Sequence, residues 1–326
     1  MRALVISNMR PDAAHPERGR FVRDQVAALR ALDGLEVDLY EFPPGGRALA
    51  CAAVDLRRRP HRVSAAGSAG GATREARRMD VVHAHFGLTA WPALAVPARV
   101  RALTVHGTDV RHPRTRLATA AALPFIDLLA AASRPLIADL PSHAARRRAQ
   151  VLPCGVDLER FRPIPREQAR AELGLQTGEP CVLFPADPAR PGKRHDLARA
   201  LARECGVRLL ALGGVDPTRV PLWVNAANAV IVPSEHEGFG LAVLEALACG
   251  VPVLATPVGI HPEALEGVDG ALCEPWDLAR WRRALAPHLL AHDPRIDGRP
   301  SAERFSATRM AELVRSAWED ALRRSG

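Results

Sequence analysis

Two carboxylates eight residues apart, Glu237 and Glu245, are the residues of this sequence best placed to bind a polar ligand. A glycine-containing turn at 238–240 lies between them, and the backbone N–H groups of such a turn can approach a phosphate. Each carboxylate can accept hydrogen bonds from a pair of sugar hydroxyls. Phosphate, ribose and a second sugar occur together in a nucleotide sugar, so this spacing favours that class of ligand.

Short apolar runs on both sides of the turn predict the elements that position it. Ala229 to Val232 and Pro252 to Ala255 read as buried parallel strands, and a helix is expected from about Gly240 to Ala248. The first turn of that helix has free N–H groups and a positive dipole end, which favour an anion. In the alternative interpretation Glu237 only caps the helix and Glu245 is a solvated surface residue.

The segment from Glu237 through Glu245 to Val253 resembles the donor-site signature of glycosyltransferase family 4. The resemblance implies the α/β GT-B architecture, with two Rossmann-like parallel-sheet domains, an interdomain cleft and a C-terminal helix that crosses back to the first domain. It also implies retaining transfer, with Glu237 on the transferred sugar and Glu245 on the ribose. The turn residues expected to line the donor site are Gly238, Phe239, Gly240 and Leu241.

A basic loop, 190–196, follows the strand predicted at Cys181 to Phe184, where ligands of open α/β sheets bind. Lys193 matches a phosphate-binding lysine of the family, and Arg190 is a weaker match to its arginine. Asp187 stands where that arginine usually lies. The alternative interpretation is an exposed basic loop. For Arg194 the sequence favours this alternative and a functional role about equally.

Three further segments provide candidates in the first half. His106 ends a predicted strand and on its own would more often be a core histidine, but the resemblance implies contact with the donor sugar, with Asp109 beside it. His83 and His85 share a strand face and could form half of a metal site, but no third ligand is identifiable in the sequence, so a structural or acceptor-side role is favoured. The family has a similar element, which makes His85 a candidate for the acceptor region. Gly19 and Arg20 begin a helix near the reaction centre of the family, or form an ordinary loop.

No Asp-x-Asp triplet occurs, which agrees with a metal-independent transferase that needs no cofactor beyond its nucleotide-sugar substrate. Six scattered cysteines predict reduced thiols and a cytoplasmic location. The net charge of +8 includes arginine clusters at 57–59, 77–78 and 146–148, which favour solvated arginines or peripheral contact with an anionic membrane. No aromatic residues interleave with them, so no nucleic-acid partner is expected.

Alternating strand and helix patterns over 326 residues predict two α/β domains. Apolar residues at the helical period predict helices at 18–32, from the end of a strand at 86 to about 98, and at 302–324, whereas 43–78 reads as a loop with at most one helix. We expect an acceptor-binding domain at 1–160, a donor-binding domain at 161–300 and the returning helix at 301–326. The expected partners are a nucleotide-sugar donor and a carbohydrate or lipid-linked acceptor, as in polysaccharide biosynthesis. The alternatives are a nucleotide-sugar epimerase or hydrolase of the same fold, and a nucleotide-sugar-binding protein without turnover.

Overall fold

The computed structural model of the protein describes residues 1–58 and 78–325. The chain forms two compact units. The first unit contains Met1–Asp12, Arg18–Pro153 and Met310–Gly326, and the second contains Ala13–Glu17 and Cys154–Arg309. Within the described ranges, no helix combines the length and apolarity that a membrane span requires.

The first unit is built on a six-stranded sheet, and all of its strand pairs are parallel. In chain order the strands are β1 (Arg2–Ser7), β2 (Glu36–Glu41), β3 (Met79–His85), β4 (Ala98–Val105), β5 (Leu128–Ala131) and β6 (Gln150–Val151). Their order in the sheet is β2-β1-β3-β4-β5-β6. The central strands are buried almost throughout, because helices flank a parallel sheet and leave little of it in water.

Helices connect these strands, and their bounds are α1 (Arg20–Arg30), α2 (Gly46–Arg58), α3 (Ala90–Ala93), α4 (Thr108–Arg111), α5 (Pro113–Ala122), α6 (Arg134–Ala138) and α7 (His143–Arg148). Helix α1 is amphipathic, and its buried Val22, Val26 and Leu29 recur at the helical period. That period predicted this helix from the sequence.

The second unit has a five-stranded sheet, again with parallel pairing only. Its strands are β7 (Cys181–Phe184), β8 (Arg208–Ala211), β9 (Ala229–Val232), β10 (Val253–Ala255) and β11 (Leu272–Cys273), in the sheet order β11-β10-β9-β7-β8. Apolar side chains of β7, β9 and β10 pack with the buried Trp281 into one core. This core fixes the strand ends from which the candidate loops emerge.

The helices of the second half of the chain are α8 (Arg166–Leu173), α9 (His195–Glu204), α10 (Val220–Ala226), α11 (Leu241–Ala248), α12 (His261–Leu265), α13 (Leu278–Leu290), α14 (Arg299–Glu303) and α15 (Ala307–Arg324). The prediction of one helix from Ala302 to Arg324 is wrong in one respect, because the helix is broken between Glu303, the last residue of α14, and Ala307, the first residue of α15. There Val156 donates its N–H to Phe305 O at 2.9 Å and accepts the N–H of Ala307 at 2.8 Å. These strand-like bonds replace the helical ones.

The first half also differs from the prediction at two places. A single helix from Phe86 to about Ala98 is wrong: a 3₁₀ turn at Gly87–Thr89 leads into α3, which ends at Ala93, and β4 already begins at Ala98. Pro97, which ring geometry excludes from a helix interior, separates them. The region 43–78, expected to be a loop with at most one helix, contains α2, and residues 59–77 lie outside the described residues.

The arginine clusters at 57–59 and 77–78 lie partly outside the described residues. In the third cluster, Arg148 donates to the carbonyls of Ile126 (2.8 Å) and Leu123 (2.6 Å), and Arg146 donates to Leu140 O. These two guanidinium groups therefore stabilise the fold of the first unit around α7.

Candidate active site

Glu237 lies in the loop after β9 and is the centre of a charged cluster in the second unit. Lys193 donates to its Oε1 at 2.5 Å, and the hydroxyl of Ser234 donates to the same oxygen at 2.7 Å. The side chain of Glu237 is buried, with 9% of its surface exposed, and the side chain of Lys193 is 19% exposed. Strands β7 and β9 are adjacent in the sheet, so the loops that follow them bring this lysine and glutamate together.

Burial alone would raise the pKa of Glu237, but the charge of Lys193 and the hydrogen bonds from Lys193 and Ser234 outweigh it. The pKa of this carboxyl is therefore lowered, and Glu237 is ionised at neutral pH. Lys193 is the only lysine among the 44 lysine and arginine residues of the chain. An ammonium is a compact point charge with three donors, which suits a buried carboxylate and a phosphate equally.

The loop that contains Lys193 is joined to the loop that contains Glu237. Glu235 donates its backbone N–H to Gly192 O at 3.0 Å, and Arg194 forms ion pairs with Glu235 (3.1 Å) and Asp196 (2.7 Å). These hydrogen bonds raise the pKa of the Arg194 guanidinium and lower that of the Asp196 carboxyl. Arg194 therefore braces the two loops.

Arg190 and Asp187, also in this region, differ in their contacts. Arg190 is exposed, and its guanidinium bonds no described residue. Asp187 Oδ1 accepts the N–H of Ala189 at 2.8 Å, and its backbone carbonyl accepts the N–H of Arg190. Asp187 thus stabilises a turn in the loop, and the Arg190 side chain is exposed to solvent.

The glycine-containing turn leads directly into α11. Gly240 has φ 112°, in the region that favours glycine, and Leu241 is the first helical residue. A Cβ at Gly240 would lie 2.5 Å from His261 Nε2, so the ring of this histidine occupies the space that a side chain would need. The N–H groups of the first turn of α11 are therefore presented by a backbone that only glycine permits.

Phe239 and Gly238 complete the turn, and Glu245 follows on the helix. Phe239 is buried, contacts Phe305 edge to face at 6.2 Å between ring centroids, and accepts the N–H of Ile260 on its carbonyl at 2.8 Å. Gly238 and Glu245 are half-buried. Glu237 thus precedes the N-terminus of α11 in the chain, and Glu245 lies in the second turn of this helix.

His261 is a residue of this region that the sequence reasoning missed. It is fully buried, and its Nδ1 lies 2.8 Å from the carbonyl of Thr256, so Nδ1 carries the proton and Nε2 is an acceptor. Burial lowers its pKa, with opposition from Glu237. The available signal was a histidine six residues after β10, the strand next to β9 in the sheet.

In the first unit, His83, His85 and His106 form a row of imidazoles. His85 Nδ1 lies 2.9 Å from His106 Nε2, with ring planes 21° apart, and the rings of His83 and His85 stack with centroids 4.7 Å apart. His83 and His85 are buried, and His106 is half-buried. Phe21 and Phe86 each lie 4.8 Å from the His106 ring, between centroids.

This row is electrically neutral at ordinary pH. Burial lowers the pKa of His83 to about 3 and, together with the proximity of His83, lowers that of His106 to about 3. Burial and both neighbouring histidines hold the pKa of His85 well below its usual value. Across residues 1–58 and 78–325, no three histidine, cysteine or acidic side chains are grouped as a metal site.

Asp109 organises the loop that carries His106. Its carboxylate accepts the backbone N–H groups of His106 (3.1 Å), Gly107 (2.8 Å) and Gly87 (3.1 Å). Burial raises its pKa against the opposing effect of these bonds. The side chain is 3% exposed, so its contacts are with the loops themselves.

Gly19 and Arg20 begin α1 in the first unit. Gly19 has φ 70°, and a Cβ there would lie 2.3 Å from Met9 O. Arg20 forms an ion pair with Asp24 at 2.9 Å, one turn along the helix. The close approach of Gly19 to the backbone at Met9 accounts for the glycine in terms of packing.

Comparison with known proteins identifies the chain. The family model described as Glycosyltransferase Family 4 matches residues 19–160, and the model described as Glycosyl transferases group 1 matches residues 188–290. A D-inositol 3-phosphate glycosyltransferase of Segniliparus rotundus is 33% identical over 76% of this chain and 68% of its own length. The chain belongs to glycosyltransferase family 4. A relative of the same name from Xylanimonas cellulosilytica is 32% identical over 74% of this chain and 69% of its length.

Solved structures confirm the predicted GT-B fold of this family 4 glycosyltransferase. A sucrose-phosphate synthase from Thermosynechococcus elongatus superposes with a TM-score of 0.70 at 18% identity, covering 98% of this chain and 99% of that one. The HepE protein of Anabaena, solved with UDP-glucose, superposes with a TM-score of 0.68 at 15% identity, covering 98% of this chain and 100% of that one. Both of the predicted parallel-sheet domains are present.

Proposed function

We propose that this glycosyltransferase moves a sugar from a nucleoside diphosphate sugar to a hydroxyl acceptor with retention of configuration and without a metal ion. The observation that carries the proposal is the cluster of Lys193, Glu237 and Ser234 beside the N-terminus of α11. It places a cation, a carboxylate and free backbone N–H groups within one region of the second unit. These are the groups that a diphosphate and a sugar require.

The leaving group is the hard part of such a reaction. As the bond between the anomeric carbon and the phosphate oxygen breaks, negative charge develops on the diphosphate. Lys193, Arg190 and the N–H groups at Gly240 and Leu241 stabilise that charge, and preorganised donors of this kind typically contribute 100-fold or more in rate. The acceptor oxygen attacks from the same face, and a phosphate oxygen takes its proton.

The sugar and ribose are bound by the carboxylates. Glu237 accepts hydrogen bonds from hydroxyls of the transferred sugar, Glu245 accepts them from the ribose, and His106 contributes to sugar binding. In the unliganded protein Lys193 neutralises Glu237. When the diphosphate attracts Lys193, the carboxylate gains capacity to accept hydroxyl protons, so binding of phosphate and of sugar support each other.

For the donor we propose a uridine nucleotide as the first to test, because HepE, a protein of the same fold, was solved with UDP-glucose. For the acceptor, the names of the relatives favour an inositol phosphate over the wider class of carbohydrate or lipid-linked acceptors. Gly19, Arg20 and the His85 region remain the proposed acceptor side. A cytoplasmic enzyme with peripheral membrane contact and no nucleic-acid partner is the setting that we propose.

A thermal-shift screen tests the donor class. A ligand that binds only the native state raises its stability by about 2.7 kcal/mol at 100 times its Kd. We expect nucleoside diphosphates and their sugars to raise Tm in EDTA, and the matching monophosphates to raise it less. Equal shifts from the diphosphate and the monophosphate would contradict the proposal.

Transfer itself is tested with the donor that gives the largest shift, D-inositol 3-phosphate and a panel of carbohydrate acceptors. Retention predicts that an α-linked donor yields an α-linked product, which NMR of the anomeric proton reads directly. A β-linked product would exclude retention.

A further inference from the structure

The donor and acceptor roles of one histidine in the row can be assigned from its neighbours. Trp318 of α15 places its Nε1 3.2 Å from His83 Nδ1, and both side chains are buried. An indole nitrogen only donates, so Nδ1 of His83 must accept and its proton must be on Nε2. That N–H then donates to the hydroxyl oxygen of Thr104 at 2.8 Å.

The bond between His85 and His106 allows two arrangements. If His85 Nδ1 donates, His85 Nε2 is a bare acceptor and His106 carries its proton on Nδ1. If His106 Nε2 donates, His85 Nε2 carries a proton and His106 Nδ1 is the bare nitrogen. The two arrangements present opposite hydrogen-bonding groups on the half-exposed ring of His106.

The burial of His85 Nε2 decides between them. This nitrogen is sealed from solvent and has no hydrogen-bond partner among the described residues. A sealed N–H without an acceptor is rarer and more costly in proteins than an acceptor without a donor. His85 Nε2 is therefore the bare acceptor, and His85 Nδ1 is the donor to His106.

We propose that His85 is a positioning residue that holds His106 as its Nδ1–H tautomer, so that His106 presents a hydrogen-bond donor to its ligand. Trp318 and Thr104 fix the stacked His83 ring in its own Nε2–H form and keep it from presenting a second N–H to the row. Through Trp318, the C-terminal helix α15 thus contributes to the tautomer of His106, at the other end of the row.

This assignment deepens the proposed function and rests on it for the identity of the ligand. A neutral Nδ1–H can donate to a sugar hydroxyl oxygen, whereas it has no lone pair there with which to remove a proton. His106 then acts in sugar recognition, and the acceptor proton goes to the departing phosphate.

The tautomer is read in the ligand-free enzyme by long-range ¹H–¹⁵N correlation of the histidine rings at pH 7. The signals of His106 are identified by their loss in His106→Gln. We expect Nδ1 to report as protonated and Nε2 as bare. A bare Nδ1 in the wild-type enzyme would overturn the proposal, and this readout requires no variant of His85.

Two substitutions then test the role of His85. Asn places an amide N–H near the position of Nδ1, so His85→Asn should preserve the His106 tautomer and keep kcat/KM within about threefold. His85→Ala removes the donor and leaves room for water, which can accept a hydrogen bond from His106 Nε2, so the Nε2–H form of His106 should appear. We expect kcat/KM to fall about tenfold, the equivalent of one lost hydrogen bond. Retention of only the Nδ1–H form in His85→Ala, or of full activity after its loss, would refute the proposal.

The same experiments separate this inference from the proposed function. If the wild-type enzyme transfers no sugar and binds no nucleotide, the proposed function fails, while the tautomer measured without ligand still decides the assignment. If transfer occurs and the tautomer is the opposite one, only the assignment fails.

Discussion

In the second unit the ammonium of Lys193 lies 2.5 Å from the buried carboxylate of Glu237. In the first unit two buried imidazoles and one half-buried imidazole lie in a row, and no carboxylate among the described residues is bonded to their rings. The first arrangement lowers the pKa of Glu237 and keeps its carboxylate ionised at neutral pH. The second excludes charge from His83 and His106. Burial disfavours the charged form in both regions. Glu237 nevertheless stays charged because Lys193 and Ser234 bind its carboxylate, whereas the imidazoles have no oppositely charged partner among the described residues.

This difference matches what each region is proposed to bind. A diphosphate leaving group needs fixed positive charge, which the Lys193 loop and the N-terminus of α11 supply. A sugar hydroxyl needs neutral donors and acceptors whose orientation is fixed, which the row of imidazoles supplies. Division of the work between a charged unit and a neutral unit is the account that the following predictions test.

The largest effect is expected at Lys193. Lys193→Ala should lower kcat by at least about 100-fold, because the charge that develops on the diphosphate loses its fixed cation. Arg199→Ala, which removes an equal charge from an exposed position on α9, is the matched control and should change kcat less than twofold. Comparable losses in both variants would mean that only the overall charge matters.

Glu237→Gln should lower kcat/KM by about tenfold to 100-fold, because a hydrogen bond to a charged group typically contributes about 1.5–3 kcal/mol. It should also change the pH dependence of stability. The folded pKa of Glu237 lies below its unfolded value of 4.5, so its stabilising contribution is complete above pH 4.5 and is lost as the pH falls through the folded pKa. The Tm values of the wild-type enzyme and of Glu237→Gln should therefore differ at pH 7 and converge in acid.

Gly240→Ala tests whether the backbone that presents the α11 N–H groups tolerates a side chain. Both Gly240 and Gly267 have positive φ, but only at Gly240 would the new Cβ meet His261. Gly267→Ala should cost about 1 kcal/mol in free energy of unfolding, and Gly240→Ala should cost more and also weaken nucleotide binding. Equal costs in chemical denaturation would show that the His261 contact is unimportant.

The neutral row also predicts a loss of stability in acid, but here the folded state favours the neutral form of the side chain, whereas at Glu237 it favours the charged form. The unfolded chain binds protons on its histidines near pH 6.5, whereas folded His83 and His106 bind them only near pH 3. The free energy of unfolding should therefore fall as the pH falls from 6.5 towards 3, by up to about 1.4 kcal/mol per pH unit for each histidine. Denaturant titrations at pH 6.5, 6 and 5 measure this slope, which His83→Gln should reduce by about one histidine's share.

Much of the second unit was predictable from its sequence because local signals agreed there. Strands β7 and β9 have the predicted bounds, since each is a short apolar run between breakers. Helix α11 begins one residue after the predicted start, and Gly240 is its N-cap. The pairing of Lys193 with Glu237 was not predictable, because it depends on the adjacency of β7 and β9 in the sheet.

The first unit was harder to predict because its important contacts are non-local. His83 was interpreted as a structural or acceptor-side residue in preference to half of a metal site, and nothing in the sequence indicated that Trp318, 235 positions later, would donate to it. In the second unit, the break before α15 was missed for the same reason, since the apolar period continues through Phe305 while Val156 pairs with that segment. His261, also in the second unit, gave only a weak signal as a lone histidine at the start of the short helix α12.

The central claim is that Lys193 binds the diphosphate without a metal ion. Because Lys193 is the one lysine of the sequence, this claim can be tested directly. Protein labelled with [ε-¹³C]lysine gives a single side-chain signal, from Lys193. On titration with UDP in EDTA we expect this signal to move with the saturation curve measured by calorimetry on the same sample. UDP binding that leaves the signal unmoved, or that requires Mg²⁺, would contradict the account.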